Sequence, residues 1–157
     1  MTGWRIGYTA GDEKVIKAMG KLQGQSTSCP SSIAQFAAIE ALIGDQSEVT
    51  IMRNVFKKRR DYIVTRLNEI NGVHCDTPGG AFYVFPDVSH YFGKSDGATT
   101  INNANDFCMY LLNNCHVAFV AGDAFGNPEC VRISYAAADD KLMEAVDRIK
   151  KQLAKLY

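Results

Sequence analysis

The sequence predicts an α/β fold, because segments with helical spacing alternate with short apolar runs that are typical of strands. After residue 46 the predicted order is helix, strand, helix, strand, strand, helix. A small sheet covered by helices accommodates this order in one compact domain. We therefore expect an α/β (α+β) domain in residues 46–157. Residues 1–45 precede it and do not by themselves predict a complete domain.

Four segments have the spacing of helices. Residues 47–70 place apolar side chains on one face in steps of three, four and seven, and Asn71-Gly72 ends the pattern. Residues 139–156 repeat it, with aspartates at the beginning and lysines at the end, as the helix dipole favours. Residues 104–114 form a shorter helix. The Ala-rich, almost uncharged segment 31–43 predicts a buried helix.

Three runs in the second half of the chain are typical of strands. Residues 81–85 and 117–121 are continuously apolar and bounded by Gly and Pro, which predicts interior strands. Residues 131–136 alternate, so that Arg132 and Ser134 face away from the apolar side chains of Val131, Ile133 and Tyr135.

The N-terminal segment and the long helix indicate how the chain is divided. Residues 4–8 look like a strand that begins abruptly, as if the chain starts within a domain. Because the helix at 47–70 is long for a compact domain, we expect it to pass between two lobes. The predicted boundary therefore lies between residues 45 and 46.

Composition excludes several classes of function. Seventeen basic and seventeen acidic residues give a formal net charge of zero, whereas nucleic-acid binding favours a basic excess. No apolar run is long enough for a membrane span. Five cysteines, an odd number without a CxxC motif, favour a reducing, cytoplasmic compartment.

Two arginines are candidates for binding anions. Arg5 lies between Gly3 and Gly7, where a guanidinium and nearby backbone amides could reach a phosphate. Arg132 faces away from the apolar side of its strand and could bind a carboxylate in a cleft. The alternatives are an arginine paired with a carboxylate at a strand end, for Arg5, and a solvent-facing strand residue, for Arg132.

Other motifs have simpler interpretations. Gly79-Gly80 and Gly122–Gly126 match no phosphate-binding loop, and turn geometry explains them. Phe82 and Phe125 are, by local pattern alone, more typical of a core than of a cleft wall. The basic run 57–60 is typical of a solvated helix face.

Metal binding and nucleophilic catalysis are not expected. In His74-Cys75 and Cys115-His116 the two potential ligands are adjacent, so their side chains point apart, whereas zinc ligands are usually separated by two or more residues. The sequence contains no GxSxG motif, and no cysteine or serine lies in a recognisable nucleophile elbow.

Six motifs, each weak alone, together resemble one family. The chain is similar to the C-terminal portion of fold-type I pyridoxal-phosphate-dependent aminotransferases, in particular the bacterial-type aspartate aminotransferase group. The motifs occur in family order and span nearly the whole chain: Met1–Tyr8, Gln25–Gln35, Arg59–Asp61, Pro78–Tyr83, Gly122–Gly126 and Val131–Ala136.

The resemblance implies roles for three residues. Arg5 matches the arginine that binds the phosphate of the cofactor, pyridoxal phosphate. Arg132 matches the arginine that binds the substrate α-carboxylate, and Phe82 matches an aromatic residue that borders the substrate cleft. The resemblance also implies amino acid and 2-oxo acid substrates and a homodimer, with residues 25–35 near the dimer interface.

The resemblance also implies that no catalytic residue lies in this sequence. The family's Schiff-base lysine belongs just before the position of Met1, and Lys14, Lys17 and Lys21 fall beyond its motif. Residues 1–45 then match the end of the large cofactor-binding domain, and residues 46–157 match the small C-terminal domain. We expect that this chain alone does not catalyse amino transfer. The alternative is a non-catalytic dimerisation or binding module derived from that domain.

Overall fold

The computed structural model describes residues 1–157, apart from the side chain of Thr2. It divides into two compact units, Met1–Thr50 and Ile51–Tyr157. The helices and strands, in order, are α1 (Glu13–Ser26), α2 (Ser32–Ile43), α3 (Ser47–Asn68), β1 (Tyr83–Val84), α4 (Ala104–Cys115), β2 (Val120–Ala121), β3 (Val131–Ser134) and α5 (Asp139–Leu153). Helix α3 begins in the first unit and continues into the second.

The beginning of the first unit differs from its prediction. Residues 4–8 do not form the expected strand: a one-turn 3-10 helix, Thr2–Trp4, is followed by Arg5 with a left-handed φ of 53°. The positive φ of Arg5 turns the chain and prevents the run from continuing as an extended strand.

Helix α1 was not predicted, although the sequence carries signals for it. The carboxylate of Asp12 caps the helix by accepting hydrogen bonds from the backbone N–H groups of Lys14, at 2.9 Å, and Val15. Glu13 and Lys17 form an i,i+4 ion pair at 2.6 Å. Two glycines inside the segment lower its helix propensity, so that the capping and ion-pair signals alone did not predict a helix.

Helix α2 is present as predicted, but the prediction that it is buried is wrong. Within the first unit only Ala34 of this helix is buried. Ile33, Phe36 and Leu42 expose 70%, 75% and 59% of their surface. A helix that is apolar on all sides needs neighbours on all sides, and Met1–Thr50 provides too few of them.

The second unit contains a three-stranded antiparallel sheet with strand order β1-β3-β2. The predicted alternation in β3 is confirmed: Val131 and Ile133 are buried, whereas Arg132 is half-buried and Ser134 is exposed. The prediction of interior strands at 81–85 and 117–121 is wrong. The strands are two-residue segments that pair only with β3, so each lies at an edge of the sheet.

Helices α3, α4 and α5 supply most of the core of the second unit. The central contributors, all nearly inaccessible to solvent, are Leu67, Phe107, Leu111, Val146 and Ile149. The apolar face predicted for residues 47–70 is buried from Ile63 onward, whereas Val49 and Met52 are about half exposed. None of the helices in the described residues is sufficiently long and apolar to cross a membrane.

Candidate functional site

The Arg132 guanidinium lies between two aromatic rings. Its Cζ atom is 4.3 Å from the centroid of the Phe125 ring and 5.3 Å from that of Tyr83. Contacts at these distances are cation–π interactions, which restrict the guanidinium to few orientations. Among the described residues, no carboxylate lies within 4.0 Å of Arg132 and no hydrogen bond to its guanidinium forms. The side chain is thus ordered and half-buried, with its hydrogen-bond donors available to a ligand.

The segment after β2 places Phe125 over Arg132. Gly122–Phe125 forms a one-turn 3-10 helix, and the backbone N–H of Gly122 donates to Cys130 O at 2.8 Å. A Cβ atom on Gly122 would lie 2.1 Å from Asn127 O and 2.4 Å from Cys130 O. Glycine is therefore required at 122 by close backbone approach, whereas Gly126 adopts a positive φ of 86°.

We expect the Gly122→Ala substitution to destabilise the second unit by about 3 kcal/mol, because its methyl group overlaps backbone oxygens that cannot move independently. Gly126→Ala is the matched control, since its Cβ would meet no atom within 4 Å. Its left-handed φ alone should cost about 1 kcal/mol. Urea unfolding followed by circular dichroism measures both values, and equal losses in the two variants would contradict this explanation of Gly122.

Aromatic side chains continue the surface beside Arg132. Phe82 is 47% exposed and meets the Tyr83 ring edge-to-face at 5.3 Å. Phe125 is 45% exposed and meets Phe85 at 6.2 Å, also edge-to-face. The interpretation of Phe82 and Phe125 as core residues is therefore wrong; both lie at the surface that surrounds the guanidinium.

Tyr83 was not singled out from the sequence as a site residue. It pairs with Ser134 across the sheet, and Ser134 lies on the same face of β3 as Arg132. Side chains on one face of neighbouring strands are in reach of one another, diagonally as well as directly. The alternation of β3 could therefore have identified Tyr83 once its register with β1 was known.

Arg5 belongs to the first unit, whereas Arg132 and Phe82 belong to the second. The Arg5 side chain is exposed, and a Cβ atom on either flanking glycine, Gly3 or Gly7, would meet no atom within 4 Å. A guanidinium flanked by glycines suits the phosphate end of pyridoxal phosphate. The residues singled out from this sequence include no group that would hold the pyridine ring, so the fit extends to the phosphate alone.

Burial disfavours the reactive thiolate form of the cysteines in the second unit. Burial raises the pKa of Cys75 to about 11, and burial likewise raises the pKa of Cys108 to about 11, so both remain protonated at neutral pH. Within the described part of the chain, potential metal ligands form no group of three or more.

Comparison with known proteins places these features in a family. The sequence profile described as "Aminotransferase class I and II" matches residues 1–149. The chain is 52% identical to an aspartate/prephenate aminotransferase from Cereibacter sphaeroides, over 96% of this chain and 38% of that protein. It is 49% identical to a bifunctional aspartate aminotransferase and glutamate/aspartate-prephenate aminotransferase from Petunia hybrida, over 98% of this chain and 33% of that protein.

Solved structures agree with the sequence comparisons. The crystal structure of the aspartate aminotransferase from Rhizobium meliloti superposes with a TM-score of 0.92 and 46% identity, covering 100% of this chain and 40% of that one. An aspartate aminotransferase from Thermotoga maritima gives a TM-score of 0.82 and 40% identity, over 98% of this chain and 37% of that one. The chain thus spans about two fifths of the length of these relatives.

The predicted α/β fold class is confirmed, as is the resemblance. The chain belongs to the aminotransferase class I and II family.

Proposed function

We propose that this chain contributes to pyridoxal-phosphate-dependent amino transfer between an amino acid and a 2-oxo acid, and that it does so by binding the substrate α-carboxylate at Arg132. The observation that carries this proposal is the half-buried guanidinium of Arg132, held between two rings without an anionic partner among the described residues. Membership of the aminotransferase class I and II family supports the reaction class.

The chemistry of the Arg132 side chain suits a carboxylate. A guanidinium presents parallel N–H donors that match the two oxygens of a carboxylate. The Arg132 Cζ atom lies over the Phe125 and Tyr83 rings, and among the described residues its N–H groups donate to no acceptor. Aromatic surroundings also exclude water and strengthen a charged hydrogen bond. Arg132 therefore binds and orients one end of the substrate.

Phe82 completes the carboxylate site as an aromatic wall. Its exposed ring adjoins Tyr83, which in turn adjoins the Arg132 guanidinium. A substrate whose carboxylate is bound by Arg132 would bury part of this ring surface. Burial of apolar area contributes binding free energy and displaces water from the charged contact.

Arg5 is proposed to bind the cofactor phosphate. A dianionic phosphate is a preferred partner of a guanidinium flanked by glycines, as Arg5 is. Pyridoxal phosphate, when bound, supplies an electron sink for the breaking of a bond at the substrate Cα. The proposed role of the residues of this chain is to bind and orient the ligands; by the family resemblance, none of its lysines is the one that moves the proton.

The same resemblance supports further assignments. We propose that residues 1–45 belong to the large cofactor domain and that residues 46–157 form the small domain that closes over the substrate. We further propose a homodimer with residues 25–35 near its interface. A cytoplasmic location is supported by five free cysteines, four of them buried.

The exposed apolar side chains of α2 favour a second candidate function. Ile33, Phe36 and Leu42 are exposed on different sides of this helix, and exposed apolar side chains promote association with another polypeptide. A stand-alone, non-catalytic dimerisation or binding module would use this surface without any enzyme activity. Reconstitution discriminates between the two candidates, because only the enzymatic one gains activity from a segment that carries the lysine.

A chimera tests the proposed function. This chain would replace the matching two fifths of the Rhizobium meliloti aspartate aminotransferase, to which it is 46% identical. Transamination of aspartate with 2-oxoglutarate is then measured beside the unmodified relative. Activity in the chimera that is lost on Arg132→Ala supports the proposal. A folded, cofactor-loaded chimera without activity, or one indifferent to Arg132, would contradict it.

A further inference from the structure

The loop that carries Phe82 is anchored by two side chains from distant parts of the sequence. Arg60 of α3 donates from Nη1 to Pro78 O at 3.2 Å. The hydroxyl of Tyr135, which follows β3, donates to Ala81 O at 2.9 Å. These two hydrogen bonds hold the backbone of the Pro78–Phe82 loop at its first residue and near its end.

Each anchor is itself held in place. Asp61 accepts two hydrogen bonds from Arg60, from Nε at 2.9 Å and from Nη2 at 2.7 Å. Tyr135 is 2% exposed, and its ring packs 6.1 Å from that of Phe56. Burial raises the pKa of Tyr135, so its hydroxyl retains the proton that it donates to Ala81 O.

Between the anchors the loop has little to fix its conformation. Gly79 and Gly80 are exposed, and a Cβ atom at either would meet nothing within 4 Å. Ala81 adopts a left-handed φ of 63°, which is unfavourable for an alanine. The sheet proper begins only at Tyr83. The conformation of the loop is therefore imposed by the residues that hold its carbonyl oxygens.

Strand β3 and the residue after it connect these anchors to the site. Arg132 points to one face, where it meets the Tyr83 ring, while Tyr135 points to the buried face. The backbone N–H of Tyr135 also donates to Phe82 O at 2.9 Å. One extended segment thus presents the carboxylate-binding guanidinium and anchors the loop that bears the aromatic wall.

We propose that Arg60 and Tyr135 are positioning residues that fix Phe82 beside Arg132 in the substrate site. This inference rests on the proposed function, because the position of Phe82 affects catalysis only if Phe82 borders the carboxylate site. Its structural content, that these two side chains help to fix Phe82 alongside the backbone hydrogen bond from Tyr135 to Phe82 O, is independent of which ligand binds.

The test is a fluorine NMR measurement on the 157-residue chain with 4-fluorophenylalanine incorporated at position 82. Tyr135→Phe removes the hydroxyl and keeps the ring. Tyr91→Phe is the matched control, since Tyr91 is equally buried and donates to a backbone carbonyl, Asn71 O, at 2.6 Å. We expect the fluorine signal to shift or broaden in Tyr135→Phe and to remain unchanged in Tyr91→Phe.

Hydrogen exchange supplies a second measurement. The Tyr135 amide, which donates to Phe82 O at 2.9 Å, should exchange about tenfold faster in Tyr135→Phe, the factor that corresponds to one lost hydrogen bond of ordinary strength. Arg60→Lys should act in the same direction, whereas Arg66→Lys, which alters the Arg66–Glu69 ion pair on the same helix, should leave the exchange of this amide unchanged. Unchanged fluorine signal and unchanged exchange of the residue-135 amide in Tyr135→Phe and Arg60→Lys would overturn the proposal, even if their thermal stability falls.

Titration with 2-oxoglutarate separates this inference from the proposed function. If Arg132→Lys does not weaken binding, the proposed function fails, yet the fluorine result for Tyr135→Phe still decides the positioning role. If binding depends on Arg132 and Tyr135→Phe leaves both the Phe82 signal and the affinity unchanged, the positioning proposal fails alone.

Discussion

Replacing Arg132 with lysine should lower kcat/KM for an amino acid substrate by about 100-fold in the active chimera, and replacement with alanine by about 1,000-fold. Lysine keeps the positive charge but loses the parallel donors that match a carboxylate. It also loses the planar group that packs between Phe125 and Tyr83. Steady-state kinetics with aspartate and 2-oxoglutarate measure both effects.

The control for this substitution is Arg148→Lys. Arg148 lies on α5 and forms an ion pair with Glu144 without any contact to the aromatic cluster. Exposed ion pairs of this kind contribute little, so kcat/KM should stay within about twofold of the parent. Equal losses for Arg132→Lys and Arg148→Lys would show that the Arg132 effect is not specific to carboxylate binding.

The 157-residue chain by itself should show no amino transfer above the background rate, even when saturated with pyridoxal phosphate. Enzymes of typical efficiency accelerate their reactions by about a millionfold or more, so the expected difference from the active chimera is very large. The reason is that Arg5 and Arg132 present only hydrogen-bond donors, which bind anions but offer no base to accept a proton from the substrate. A coupled assay for oxaloacetate production measures this rate.

Lys14, Lys17 and Lys21 provide an internal check on that expectation. All three lie in or beside α1, and none occupies the motif position of the family lysine. Substituting them together by arginine should change nothing in the chimera. Enzymatic turnover by the isolated chain, abolished by those substitutions, would contradict the proposal that no lysine of this chain is catalytic.

Much of the second unit could be predicted from periodicity. The helices α3, α4 and α5 begin within a residue of their predicted starts, because each buries a face with helical spacing. The alternation around Arg132 was also informative, since a strand with one buried face determines which side chains face away from it. That pattern predicted that Arg132 faces away from the buried side of β3, and the structure confirms it.

The rest depended on contacts that local sequence does not encode. The apolar runs around Tyr83 and Val120 were expected inside the sheet, but strand order places them at its edges. Phe125 lies over Arg132 because the backbone folds tightly at Gly122, a close approach that no periodicity reveals. The anchoring of Ala81 by Tyr135 joins residues 54 positions apart.

The central claim is that Arg132 binds the substrate carboxylate, and NMR of arginine side chains tests it most directly. The Nε–Hε signal of Arg132 would be followed in the 157-residue chain during titration with 2-oxoglutarate, using Arg148 as the internal reference. We predict a saturable shift of the Arg132 signal with no change at Arg148, and loss of saturable binding in Arg132→Lys. Saturable binding that leaves the Arg132 signal in place, or that persists in Arg132→Lys with unchanged affinity, would contradict the claim.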